Sequence, residues 1–134
     1  MKKNLEELGI QLLRDEQEII QIGTETIQII GLNYSGRYCH RAIPAALEKM
    51  PPVPNAIRII LLHDPTGFIS VPPTDESLVL CGHTHGGHIG LLSFGLPYTL
   101  IGVVMKIPDF GAWTHFSKLL YVHRGQGSRN LLGN

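Results

Sequence analysis

The segment that most limits how this chain can fold is Ile57 to Leu62. It is apolar apart from Arg58 and stops at His63-Asp64-Pro65. A short run so apolar and so rich in β-branched residues reads as a strand buried on both faces, the pattern of a central strand in an α/β sheet. A second short apolar run, Leu78 to Leu80, leads into Cys81-Gly82-His83-Thr84-His85-Gly86-Gly87-His88. If the two strands are neighbours, their carboxyl ends bring His63, His83 and His85 to one edge of the sheet, where ligands commonly bind in α/β folds.

The remaining segments fit around these two strands. Asn4 can cap a short helix with Glu6 and Glu7 in its first turn, ending near Gly9. Ile10 to Leu13 is mostly apolar, and Arg14 to Glu18 reads as a polar turn between strands. Ile19 to Ile22 and Thr26 to Leu32 are rich in β-branched residues and predict a strand pair around Gly23-Thr24, followed by a loop from Asn33 to Gly36. Ile43, Ala46, Leu47 and Met50 stand at helical spacing within Arg41 to Met50, with Pro44 in a first turn and Pro51-Pro52 beyond the end. Ile89 to Lys106 mixes glycine, proline and apolar residues without periodicity, as in a long surface loop with short strand pieces. Leu119 to Val122 predicts a last strand, and Arg124 to Asn130 is loop. The pattern is mixed α/β in a single domain.

Composition excludes several classes of function. Eleven basic and eleven acidic side chains cancel, leaving no cationic patch for nucleic acid or an anionic membrane. The longest apolar runs are far too short to cross a bilayer. Met1-Lys2-Lys3 is followed by Glu6-Glu7 and not by an apolar stretch, so a signal peptide is not expected and the chain as written reads as cytoplasmic. A missing amino-terminal part would be the place for an anchor or export signal. Cys39 and Cys81 lie far apart and form no CxxC pair, which predicts reduced thiols.

Seven histidines are the unusual feature, and the stretch Gly82 to Gly87 concentrates the signal. Two imidazoles two residues apart can project toward one point or toward two neighbouring metal ions. Two imidazoles in a glycine frame have little packing value, and the glycines let the backbone take positive φ and approach ions and a bound phosphate closely. A lone histidine at a strand end, such as His63, is more often a hydrogen-bonded residue than a ligand. The glycine-framed pair changes that balance.

These residues resemble a known family. Leu61-Leu62-His63-Asp64-Pro65, followed by Gly82-His83-Thr84-His85-Gly86-Gly87, is similar to the last two metal motifs of calcineurin-like metallophosphoesterases, especially the bacterial phosphodiesterase branch. Leu5 to Leu13, Ile27 to Leu32 and Leu120-Tyr121-Val122-x-Arg124-Gly125-x-Gly127 resemble flanking segments of that family, so the likeness spans nearly the whole chain. It implies that residues 1–134 are the carboxy-terminal half of a four-layer αββα sandwich, a mixed sheet flanked by helices. It also implies a phosphoester substrate and two divalent metal ions (manganese, iron or zinc) per complete site. His63 and His83 would ligate one ion and His85 the other, and the pair of ions would activate a bridging hydroxide.

The family's Asp-x-His, Gly-Asp-x-x-Asp and Gly-Asn-His-Asp motifs are absent from these residues, and with them the bridging carboxylate, an asparagine ligand and the histidine that protonates the leaving group. Three neutral imidazoles do not offset two dications. The expectation is therefore a phosphoesterase half-site, inactive alone, that needs a missing amino-terminal half. The alternative is a non-catalytic metal-binding or interaction remnant. A half-sandwich of this kind also predicts exposed edges and an uncovered apolar face. His88 stands where related sequences have glutamine. Asp64 reads as part of the turn before Pro65, and Cys81 as a small buried residue. Arg124 to Asn130 reads as a solvated loop more than a phosphate cradle. Trp113, Phe110 and Phe116 read as loop packing more than a substrate wall, and His40, His115 and His123 as surface or satisfied histidines. A cupin-type reading of His83-Thr84-His85 wants a glutamate where Ile89 and Gly90 stand.

Overall fold

Gly23-Thr24 folds the first two strands back on each other. In the computed structural model, which describes residues 5, 7–83, 108 and 111–123, β1 (Glu16–Ile22) pairs antiparallel with β2 (Glu25–Gly31) and places Ile22 opposite Glu25. Gly23 takes φ +62° in the turn, a conformation that costs glycine nothing. From β2 the chain crosses through a 3₁₀ turn (Gly36–Tyr38) and helix α1 (Cys39–Glu48) to β3 (Ala56–Leu62), which runs parallel to β2. A six-residue 3₁₀ helix, Pro65–Ser70, leads on to β4 (Leu78–Cys81), parallel to β3. The hairpin of β5 (Gly111–His115) and β6 (Lys118–Val122) adds β6 parallel to β4. The six-stranded mixed sheet has the order β1-β2-β3-β4-β6-β5. The two strands that lead into the histidines are therefore neighbours at its centre.

One face of this sheet carries the core. Ile43 and Leu47 lie one helical turn apart on α1 and Met50 follows three residues on. They pack with Ile30, Ile60, Leu62, Val79, Leu120 and Val122, together with Phe68 and Val71 at the 3₁₀ helix. Among the described residues little covers the other face. On β3, Arg58, Ile60 and Leu62 are buried while Ile57 is 51% and Leu61 39% exposed, so the strand is not buried on both faces as its apolar run predicts. Leu119 and Tyr121 are exposed on the same side. The composition of β3 anticipates a cover on each face, and the described residues supply helices over one. A small part of the open face is roofed by Leu13, whose carbonyl oxygen would lie 2.8 Å from a Cβ at Gly31, so only glycine fits beneath it. Of the four layers implied by the family resemblance, the described residues show the sheet and the helical layer on one face.

Other boundaries differ for identifiable reasons. Asp15 takes φ +53° and β1 begins at Glu16, so Glu16 to Glu18 are strand and not turn. Helix α1 starts at Cys39, which puts Pro44 in its second turn, where its missing N–H leaves the His40 carbonyl without the usual helical donor. Near the start, the Ile10 amide donates to the Leu5 carbonyl at 2.9 Å and Gly9 has φ +72°, closing a turn at the expected place. Asn4 and Glu6 lie outside the described residues. The strand Gly111–His115 is unanticipated, since Gly-Ala-Trp-Thr-His shows no alternation.

Two buried polar features brace the covered face. Arg58 donates from Nε to Asp75 Oδ1 at 2.9 Å and from Nη1 to Gln28 Oε1 at 2.7 Å; Gln28 in turn donates to the Pro51 carbonyl at 2.9 Å. Lys118, only 2% exposed, donates from Nζ to the carbonyls of Phe68 and Val71 and sits 5.0 Å from the Phe68 ring centroid. Burial holds the Lys118 ammonium below the usual lysine range, with the Asp75 charge opposing that shift. Replacing Asp75 by alanine strands the guanidinium in the core. The substitution should cost about 3–5 kcal/mol of stability, read as a lower urea midpoint at unchanged slope.

Candidate metal centre

The site is assembled by the last rungs of the central strands. Leu62 and Cys81 are register partners, and one step further the Gly82 amide donates to the His63 carbonyl at 3.2 Å. The two chains therefore leave the sheet together. His63 Nε2 and His83 Nδ1 come to 2.9 Å of each other, with ring centroids 4.7 Å apart and planes at 67°. Both side chains are exposed. Asp64 caps the 3₁₀ helix behind His63, accepting from the Thr66 amide at 2.9 Å and the Thr66 hydroxyl at 2.7 Å. It belongs to the turn, as its place before Pro65 suggests.

Two imidazole nitrogens 2.9 Å apart form a hydrogen bond when one of them carries the proton. The same separation suits two ligands of one ion, since bonds of about 2.0–2.1 Å then subtend an angle of about 90° at the metal. Imidazole donors suit first-row transition metals such as iron and zinc. His83 reaches this position with φ +70°, a left-handed conformation that costs a non-glycine residue roughly 1–2 kcal/mol. Strain of this kind persists where the surroundings impose it and is concentrated at functional sites.

His85, Gly86, Gly87 and His88 lie outside the described residues, as does the loop from Arg124 to Asn130. Among the described residues no three His, Cys, Asp or Glu side chains gather into a metal-binding group, so the described part of the candidate site is the imidazole pair. Three other histidines lie among the described residues. His40 Nδ1 is 3.1 Å from the Arg37 carbonyl, His115 meets Phe116 edge to face with centroids 4.5 Å apart, and the His123 amide donates to the Cys81 carbonyl at 2.8 Å, at the same edge of the sheet as the pair. Cys81 is buried, and burial, helped by the Asp64 charge, pushes its thiol up to about 12. Beside the pair, an open cleft of about 650 Å³ runs from His63 and Gly82 onto the uncovered sheet face, lined by Leu13, Ile29, Leu61 and Leu80.

Sequence reasoning missed Tyr34. Its ring centroid lies 5.6 Å from that of His63 and 6.2 Å from that of His83. The available signal was positional: Tyr34 follows the strand that precedes the histidine strands, three residues past its last rung.

No family model matches the chain, and no solved structure gives a significant match. Two curated bacterial proteins do match. One is the uncharacterized metallophosphoesterase YkoQ of Bacillus subtilis, 28% identical over 131 residues, which is 95% of this chain and 46% of that protein. The other is the phosphodiesterase YaeI of Escherichia coli, 24% identical over 126 residues, 94% of this chain and 44% of that protein. The resemblance to metallophosphoesterases is thus borne out across nearly the whole chain, and the chain spans less than half the length of the curated relatives it matches. Among the described residues no helix is long and apolar enough to cross a membrane.

Two consequences are measurable. If the site imposes φ +70° on residue 83, His83→Gly should be more stable than His83→Val by roughly 1–2 kcal/mol, the cost of the left-handed conformation, in paired denaturant titrations. A thiol held near 12 has almost no thiolate at pH 8. Cys81 should therefore resist iodoacetamide in the folded protein and alkylate readily in urea, as read by peptide mass spectrometry.

Proposed function

We propose that this chain is the carboxy-terminal half of a metal-dependent phosphoesterase domain, with His63, His83 and His85 as its imidazole ligands and phosphodiesters as its substrates. The observation that carries this reading is the approach of His63 Nε2 to His83 Nδ1 at 2.9 Å from adjacent parallel strands. Relatives named as metallophosphoesterase and phosphodiesterase support the choice of reaction.

A two-ion centre of manganese, iron or zinc, when bound, supplies Lewis-acid neutralisation of the phosphoryl oxygens and a nucleophile available at neutral pH. The residues of this chain contribute the neutral, nitrogen-donor side of the site. Gly82 keeps the backbone against His63, so that the first two imidazoles arrive as a preset pair, and His85 serves the second ion. The exposed position of the pair leaves it accessible to a phosphoester. Neutral imidazoles leave the charge of the dications uncompensated. Carboxylate ligands are therefore contributed by an amino-terminal half, which is also the partner that completes the domain.

The test is hydrolysis of bis-(p-nitrophenyl) phosphate by the full-length protein with added manganese. Turnover is expected, and His63→Ala, His83→Ala or His85→Ala should each lower it at least about a hundredfold, because a metal ion contributes several kcal/mol of transition-state stabilisation. The 134-residue chain should show no turnover by itself. Turnover by that chain would overturn the half-site reading. A full-length protein with no metal-dependent hydrolysis would instead favour a non-catalytic metal-binding or interaction role.

A further inference from the structure

We infer that Tyr34 is the positioning residue of the imidazole pair, setting the orientation of His63 and His83 through its ring and not through its hydroxyl. Three adjacent parallel strands, β2, β3 and β4, each release one ring at their carboxyl ends. Those rings form a closed triangle. The centroid separations are 4.7 Å for His63–His83, 5.6 Å for Tyr34–His63 and 6.2 Å for Tyr34–His83. Tyr34 meets His63 edge to face at 84°, an arrangement that the ring quadrupoles favour, and His83 at a tilt of 32°.

An exposed imidazole on a loop is free to rotate about both of its side-chain torsions. The bond between His63 Nε2 and His83 Nδ1 fixes one distance and leaves each ring able to swing about it. A third ring beside both limits that freedom, provided its own place is set, and two features set the place of Tyr34. On one side, Asp15 accepts from the Asn33 amide at 2.9 Å and from Asn33 Nδ2 at 2.7 Å, which clamps the residue just before Tyr34. On the other side, Gly36 takes φ +52°, and the Tyr34 hydroxyl, Cζ and Cε1 lie 3.8, 3.9 and 4.0 Å from where a Cβ on Gly36 would stand. The phenol end therefore lies over the space that a side chain on Gly36 would take, and Tyr34 meets the imidazoles ring to ring. Tyr34 remains 60% exposed, so core packing does not account for its place. Its consequence for metal binding rests on the ligand role proposed above for the two histidines. Outer contacts that orient metal-bound histidines typically carry 10–100-fold of metal affinity.

The experiment compares wild-type protein with Tyr34→Ala, Tyr34→Phe and Tyr34→Leu. Long-range proton–nitrogen NMR spectra of the metal-free protein report the tautomers and mutual hydrogen bond of His63 and His83. Tyr34→Ala and Tyr34→Leu should lose the fixed pair and show averaged tautomers, while Tyr34→Phe keeps the wild-type pattern. Tyr34→Leu preserves bulk and decides the matter if the alanine variant perturbs the fold. In a parallel titration with cobalt(II), the d–d absorption of Tyr34→Ala should change shape and its affinity should fall about tenfold, with Tyr34→Phe behaving as wild type. An unchanged histidine pattern in both Tyr34→Ala and Tyr34→Leu would overturn the inference, and so would a phenylalanine variant as disturbed as the alanine one. Failure of the wild-type protein to bind cobalt would count against the metal site itself, and the metal-free spectra would still decide the role of Tyr34.

Discussion

The parallel register of β3 against β4 is the constraint on which the rest of the molecule depends. Leu62 stands beside Cys81 and Gly82 bonds back to His63, and the imidazoles meet because these rungs are in step. A slip of one residue would turn every side chain of β3 to the opposite face. Ile60 and Leu62 would leave the core, and His63 would be carried away from His83. Hydrophobic pattern alone guards this register weakly, because β3 is apolar at nearly every position. Arg58 guards it strongly. Its guanidinium is buried between Asp75 and Gln28, and a one-residue slip would turn it to the opposite face, away from both.

Braces of different kinds hold the two ends of the sheet. At the start of β3 the Arg58–Asp75–Gln28 cluster ties β2, β3 and the segment before β4. At the far end, Asp64 caps the 3₁₀ helix directly after His63, and Lys118 on β6 binds the carbonyls of Phe68 and Val71 where that helix finishes. The stretch leaving His63 is thus anchored at its beginning and its end. Against that support the backbone can hold His83 at positive φ without the strain relaxing into a shift of the strand. Rigidity lies in residues that touch no ligand, and it frees the two imidazoles to be exposed.

Much of this was legible from local pattern. The strand pair around Gly23-Thr24, the helix with Ile43, Leu47 and Met50 on one side, and the two histidine strands follow from spacing and β-branched composition. The features that escaped depend on partners distant in the chain. Lys118 reads as an ordinary charged residue after a turn until Phe68 and Val71 are seen to offer it two carbonyls. Trp113 reads as loop packing because β5 is defined by pairing with β6 and not by any alternation of its own. The apolarity of β3 predicts burial on both faces, yet it records only what each face will tolerate and not which segment covers it. Tyr34 escaped for the same reason. An aromatic residue in a polar loop has no pattern until two histidines from other strands arrive beside it.

The face that the described residues leave uncovered and the imidazole edge pose one problem, because they are continuous. The cleft that borders His63 and Gly82 is walled by Ile29, Leu61 and Leu80, side chains of the uncovered side of the sheet. A layer laid over that face would exclude water from the apolar surface and, by the same placement, stand beside the imidazoles. Covering and charge compensation then come from the same structural step. If that layer also carries carboxylates at the edge nearest His63, folding of the whole domain and completion of its charge balance become one event. Metal affinity would then be linked to docking of that layer, because ligands that the layer brings are in place only once it has docked.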